Sequence, residues 1–512
     1  MIRSGMLTAL AAVLPAAAAD LPTDYTPPPP PGPHVHHRGA ATFRPGKPLV
    51  ATSYFYWYDA PSGMHVRDRD GTDALTDHPP TLKGMSYRSV DWHAQQLRDM
   101  IDAGIDVVLP VYWGFPGAKR HWSNVGLAPL VEARKRLLAA GKKPPAIGMF
   151  YDTSTLRHGG ISAGVDLTTE AGRRWFFATI RDFFSLVPPP HRACIDGKPI
   201  VFLYAAAFAK KTDAKLFPAV RGMFREAFGC DLYLVKKPEW PGQADSVYQW
   251  GAALMPKLLD TAAVGPGYDH SAVPGRWPLV RKRLGGRFYR WSWEKLLAMP
   301  PAKRPALVHV ETWNEFHEGT EICHSREFGR KYITLTRHYA DLFGARKRIE
   351  KPEPKPVPEG VSVSPRETDG IRVVPQQAGD GPVAVRTVSG RAALVTAPNR
   401  FSRDHRYMYF DVDDLFAHDT DEPMTLTVTY FDGAARELAL QYDSADPKLR
   451  GLAQCFRGAD GRKITGTRTW KQATFTLPNA RFAGRANGVD FRLVVTGGDL
   501  AVSHVTIRRG GS

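Results

Sequence analysis

Between about residues 48 and 345 the chain changes its apolar period again and again. Short runs of β-branched and aromatic residues alternate with stretches whose apolar residues recur at helical spacing. Val50 to Trp57 is the first such run. A helix then starts at Ser89, carries Leu97, Met100 and Ile101 on one face and stops at Gly104. Asp106 to Trp113 (DVVLPVYW) is apolar without interruption, as expected of a strand covered on both faces. Further strands are expected at Ala146 to Asp152, Pro199 to Tyr204 and Asp231 to Val235, from Ser246, from Ala262, and at Ala306 to Trp313. Helices are expected near 125–140, 168–187, 212–228 and 328–343. About eight strands, most followed by a helix, within about 300 residues is the pattern of an α/β (β/α)8 TIM barrel. The rival, an open doubly wound sheet, usually carries a glycine-rich phosphate turn after an early strand, and none is present. The barrel pattern is weakest between the fifth and sixth strands, where no full helix fits.

The flanks read differently. Arg3, the apolar stretch Met6 to Leu14 and the small residues Ala17-Ala18-Ala19 form a signal-peptide pattern over 1–19, which implies a secreted or periplasmic protein. The apolar run is too short to span a bilayer. Residues 20–44 form a Pro-rich tether; its His34, His36 and His37 read as spacer, because no Cys or carboxylate lies near to complete a metal site. The barrel occupies 45–345, and a linker at 346–365 opens with the Pro- and charge-rich run Arg346 to Gly360. Over 366–512 short alternating strands such as YMYFDV, MTLTVTYF and DFRLVV predict an antiparallel β-sandwich of jelly-roll type. There Asp411, Asp413 and Asp414 are either calcium ligands or a polar strand edge, and Trp470 reads as core. Cys194 and Cys230 are either paired or free, since sequence does not set their geometry.

Lys and Arg exceed Asp and Glu to a net charge of +17, which favours acidic partners such as an anionic glycan. No basic run is interleaved with aromatics, and no zinc-finger or helix-turn-helix spacing occurs, so nucleic acid is not expected as a partner. Neither a membrane span nor a cofactor is expected, and the chain reads as a monomer.

The string from Glu311 to Glu321 (ETWNEFHEGTE) lies at the C-terminal end of the last expected strand, the end that faces the active site in a barrel. Glycoside hydrolysis typically uses two carboxyls, one to donate a proton and one to act as base or nucleophile. Glu315 and Glu318 are the candidates; on one helical turn they would share a face, with Cβ atoms roughly 5–6 Å apart. Strand ends also carry Tyr56, Trp57, Tyr112, Trp113, Tyr151, Tyr204, Trp250 and Trp313, rings of the kind that line sugar clefts. Asp152 and Asp269 are candidate hydroxyl-binding carboxylates, and Glu311 and Asn314 complete the expected substrate-binding set. His317 is placed to bond a sugar, to bond a neighbouring glutamate, or simply to pack. His309, Glu311, His317, Glu318, Glu321 and His324 match no H-E-x-x-H spacing, and no metal is expected.

Asn314 to Thr320 (NEFHEGT) resembles the N-E-W-H-E-G-T string of glycoside hydrolase family 99, the endo-α-mannosidase and endo-mannanase family, with Phe316 in place of Trp. With HSREFGRKYI and Val264 to Asp269 it is closer still to a bacterial family catalogued as domain of unknown function 5010, related to families 99 and 71 and often bearing a C-terminal β-sandwich of carbohydrate-module type. The resemblance implies an endo-acting glycosidase for an α-linked glycan, retaining through the sugar 2-hydroxyl. It makes Glu315 the base that deprotonates that hydroxyl and Glu318 the acid. Glu311, and Tyr112-Trp113-Gly114 where a Trp-Trp string is usual, depart from the family 99 pattern and bear on which sugar is taken. The alternative is a non-catalytic glycan-binding envelope protein built on a barrel scaffold.

Overall fold

The structure, a computed structural model, describes residues 41–159 and 164–510. The signal-like segment, most of the tether and its three histidines lie outside the described residues. Two compact units form: one takes 41–268 with Arg283–Glu353, the other takes Asp269–Lys282 with 354–510. The second unit therefore claims a 14-residue excursion from within the stretch read as barrel.

The first unit is built on eight parallel strands: β1 (Leu49–Tyr54), β2 (Val107–Tyr112), β3 (Ala146–Ile147, continuing as Met149–Tyr151), β4 (Lys198–Leu203), β5 (Tyr233–Lys236), β6 (Ser246–Val247), β7 (Thr261–Val264) and β8 (Leu307–Val310). Main-chain pairing runs β6-β5-β4-β3-β2-β1-β8-β7. Between β6 and β7 the links are of side-chain type. Ser246 Oγ and Thr261 Oγ1 lie 2.6 Å apart, and the Val247 N–H donates to Asp260 Oδ2. Helices α1 (Val90–Ala103), α2 (Trp122–Ala139), α3 (Glu170–Leu186) and α4 (Leu216–Phe228) follow the first four strands. None follows β5 or β6. An α5 (Arg287–Leu297), not expected from the sequence, precedes β8, and α6 (Lys331–Gly344) follows it. Local chemistry sets the ends of α1: the Ser89 side chain accepts from the Trp92 N–H, and Gly104 closes it at φ 77°, where a side chain is disfavoured.

The second unit has a seven-stranded and a five-stranded sheet, and the strand pairs of both are antiparallel. Their inward residues, among them Met424, Leu426 and Val428 of one and Met408, Phe410 and Leu493 of the other, share one apolar core. Trp277 of the excursion packs on that core, Arg281 forms an ion pair with Asp413, and Lys282 with Asp369. Asp411 is paired with Arg372, and Asp414 lies 3.2 Å from the His418 ring, so with Asp413 on Arg281 each carboxylate of the DVDD string has a side-chain partner. Trp470 is half-buried, its ring 5.5 Å from that of Phe431.

None of the four cysteines is in a disulfide, so the paired alternative for Cys194 and Cys230 does not hold. Burial pushes the Cys194 thiol up to about 12, which keeps it unreactive. Among the described residues no helix is long and apolar enough to cross a membrane.

Candidate active site

Residues paired in register across parallel strands point to the same face, and the face alternates with each residue. His309 of β8 pairs with Ala51 of β1, yet its ring contacts Phe150, Phe202, Tyr248 and Trp250, which come from β3, β4 and the β6 region. Those strands are not its neighbours, so this face is the inside of a strongly curved sheet. One level nearer the strand C-termini, the same alternation places Trp57, Trp113, Asp152, Tyr204, Lys237, Trp250 and Glu311 inward. The rings meet as this requires: Trp57 and Trp113 are 5.4 Å apart, Tyr204 and Trp250 5.6 Å.

The alternation separates the expected site residues into two sets. Tyr56 donates to the Ser123 carbonyl, and Tyr112 to Asn124, both on α2. Tyr151 packs on Phe176 of α3, and the Trp313 indole donates to Gln96 of α1 at 2.7 Å. These four fill the layer between strands and helices and do not line the inner face. Asn314 is also committed elsewhere. Its Oδ1 accepts the Phe55 N–H and its Nδ2 donates to the Phe55 carbonyl, both at 2.8 Å. Asp269 lies in the second unit, where its carboxylate accepts from the Ser271 N–H and hydroxyl.

Glu315 follows β8 after a short connection and is 3% exposed. Residues 316–319 form a turn, not the expected helix, and the Thr320 N–H closes it on the Glu315 carbonyl. The Glu315 carboxylate accepts the His317 main-chain N–H at 3.1 Å, and the His317 ring Nδ1 stands 2.9 Å from the same oxygen. An ionised carboxylate only accepts, so with Glu315 ionised this contact requires the proton on Nδ1. The ring is fixed in turn by stacking on Tyr58, and Trp57 meets it edge-on at 5.4 Å. Tyr58 donates to the Asn314 carbonyl, and its oxygen accepts the Phe316 N–H. Burial pushes the Glu315 carboxyl up, the neighbouring negative charge of Glu318 adds to this, and His317 pulls it back. Glu318 is half-buried on the same turn. Beyond it, buried Arg283 donates to the Gly319 and Glu321 carbonyls and forms ion pairs with Glu321 and Asp77, its guanidinium lying over the rings of Phe328 and Tyr332.

Two further acids face inward. Glu311 Oε2 accepts the N–H groups of Gly251 and Ala252, while Oε1 has no partner and lies 3.9 Å from His309 Nδ1. Burial pushes this carboxyl up to about 8 and the His309 ring down to about 3. Asp152 accepts the Ser154 N–H; burial pushes it up too, against the pull of Ser154 and the Trp113 indole N–H. Among the described residues no group of three or more His, Cys, Asp or Glu side chains is placed to hold a metal ion.

Tyr58, His65 (stacked on Trp57 at 4.5 Å) and Lys237 belong to this site and were not singled out from sequence, and His309 was weighed there only as a metal ligand. Only Tyr58 and Lys237 left a trace there, as residues just past strand ends.

Fold and site together define a parallel α/β protein with a glutamate-bearing, aromatic-lined site at its strand C-termini. Residues 39–353 match the model of the family described as Domain of unknown function (DUF5010), and the chain belongs to that family. It is also similar to a glycoprotein endo-alpha-1,2-mannosidase-like protein of Danio rerio, 31% identical over 90 residues, which is 17% of this chain and 20% of that one. The match to a glycoprotein endo-alpha-1,2-mannosidase of Xenopus laevis is 36% over 66 residues, 13% of this chain and 14% of that one. The chain thus spans a fifth or less of the length of these two curated relatives. A solved GH99 endo-alpha-mannosidase from Bacteroides thetaiotaomicron aligns with 58% of this chain and 98% of its own at 17% identity and a TM-score of 0.43.

Proposed function

We propose that the protein is an exported glycoside hydrolase that cuts within an α-linked polysaccharide and retains anomeric configuration through the sugar 2-hydroxyl. In this reading the parallel sheet closes as a (β/α)8 barrel across the Ser246–Thr261 contact, and the antiparallel sheets form a jelly-roll-like sandwich that assists glycan binding. Export rests on the N-terminal sequence pattern alone. The observation that carries the reading is Glu315, a buried carboxylate held by both donors of His317 at the rim of the aromatic inner face.

The chemistry follows from two differently placed carboxyls. Burial strengthens Glu315 as a base, and it takes the proton of the 2-hydroxyl. The freed oxygen attacks C1 while the C1–O bond to the leaving sugar breaks, and Glu318 protonates the departing oxygen. Water then opens the three-membered ring at C1. Glu318 takes the water proton, and Glu315 returns its proton to O2. Two opposite-face displacements restore the starting configuration. Asp152, Tyr204 and Trp250 supply hydroxyl-binding and stacking groups on the facing wall.

The test is turnover of a panel of α-glycans with product sizing. Glu315→Gln is expected to lose about 10²–10⁴ in rate while still binding, since shape is kept and the base removed. Glu318→Gln should harm substrates with poor leaving groups most. Full activity in both variants removes these residues from the mechanism. A 2-deoxy substrate cut at full speed rules out 2-hydroxyl participation. Glycan binding without turnover in the intact protein favours the alternative of a non-catalytic binder.

A further inference from the structure

Lys237 stands in an unusual place for an ammonium group. Phe202 of β4 pairs in register with Val235 of β5, and Phe202 touches the His309 ring, so Val235 faces the inside of the sheet. Two residues on, Lys237 faces the same way. Its side chain is only 12% exposed, and its Nζ sits 5.2 Å from the centroid of the Tyr204 ring, which meets Trp250 edge-on.

Local structure does not need this charge. The loop after β5 is already tied down by its neighbours: Lys236 Nζ donates to the Trp240 carbonyl, and the Trp240 indole donates to the Tyr204 carbonyl, each at 2.6 Å. The partner of Lys237 is Glu239, 2.9 Å away and 39% exposed. Glu239 is the solvent-facing half of this pair, so an entering anion can take its place on the Lys237 ammonium. The wall continues in the same sense. Tyr204 stacks on Phe208, and Phe208 meets His158; Arg157, next to His158, donates to the Ala207 carbonyl. The acids facing this wall are Asp152, Glu239 and, bonded to the main chain beside Trp250, Glu311. The net charge of +17 favours approach of an anion from a distance.

The geometry points to a glycan with an anionic ring substituent, carboxylate or sulfate, as the ligand of this site, with Lys237 as the residue that selects it. This deepens the proposed function and rests on its reading of the inner face as a glycan site.

The experiment uses the full chain and one α-mannan in three forms: neutral, oxidised at C6 to the carboxylate, and sulfated. Binding is measured by calorimetry for the wild type, Lys237→Met and Lys237→Arg, and turnover is followed in parallel by product sizing. At low salt the wild type should bind at least one anionic form about tenfold or more tighter than the neutral one, and the advantage should shrink as salt is raised. Lys237→Met should bring the forms to parity, and Lys237→Arg should keep most of the preference. Whether the oxidised or the sulfated form gains tells which substituent is read. Equal binding of all three forms by the wild type, no binding of any, or a preference that survives Lys237→Met overturns the assignment. If Lys237→Met does not fold, Lys237→Gln takes its place in the comparison, and equal binding of all three forms by the wild type still overturns the assignment. A preference without turnover keeps the Lys237 assignment and sinks the glycosidase. Equal turnover and equal binding of all three forms does the reverse.

Discussion

Replacing Asn314 with alanine separates two roles that its place in the NEFHEGT string leaves open. The side chain is 1% exposed and makes two hydrogen bonds of 2.8 Å, one from and one to the main chain of Phe55, just past β1. Alanine leaves the N–H and the carbonyl of Phe55 buried without these partners. Each unsatisfied buried group costs about 1–3 kcal/mol, so the loss should be about 2–6 kcal/mol. For a unit of this size about 2 °C of melting temperature is lost per kcal/mol, so the midpoint should fall by about 4–12 °C. Asn314→Asp keeps the acceptor but sets an oxygen against the Phe55 carbonyl, and should be as damaging or worse. Thermal and urea unfolding of the three proteins, run beside KM and kcat on any cleaved glycan, give the answer. A midpoint unchanged within 1–2 °C, on the same scale, together with a raised KM, would refute the argument and return Asn314 to the substrate.

Three other outcomes follow from particular contacts. Glu311 has its carboxyl raised from 4.5 to about 8 on folding, so the folded protein holds that proton more tightly and stability drains away as pH climbs through this window, levelling off above it. Glu311→Gln should therefore stabilise little near pH 5 and by a few kcal/mol near pH 9, read as urea midpoints; an equal gain at both pH values contradicts this. Arg283→Met strands Glu321 and Asp77 and should cost about 3–5 kcal/mol, part of which Glu321→Gln restores in the double variant; a neutral single variant by thermal unfolding sinks the reasoning. Trypsin should nick the run Arg346 to Lys355, yet the two fragments should stay together on gel filtration, because the excursion Asp269–Lys282 belongs to the core of the second unit; separation without denaturant is the contrary result.

Much of this protein was legible in the chain itself, because local physics writes it there. Continuous apolar runs mark strands covered on both faces, and Ser89 and Gly104 mark the ends of α1. The change to short alternating strands past residue 360 marks the antiparallel sheets. The turn bearing Glu315 and Glu318 stood out as acids among aromatics at a strand end. A run apolar on both faces, however, carries no record of which face is inside. In Tyr56-Trp57 and Tyr112-Trp113 only the second ring faces inward, and register with distant strands decided that. The same holds for groups whose partners lie far along the chain. Asn314 binds Phe55 across 259 positions, His317 stacks on Tyr58, and Arg283 meets Asp77. No local period encodes such pairs. Trp277 and Arg281 likewise read as part of the barrel stretch, and only packing on a core built from residues beyond 360 assigns them to the second unit.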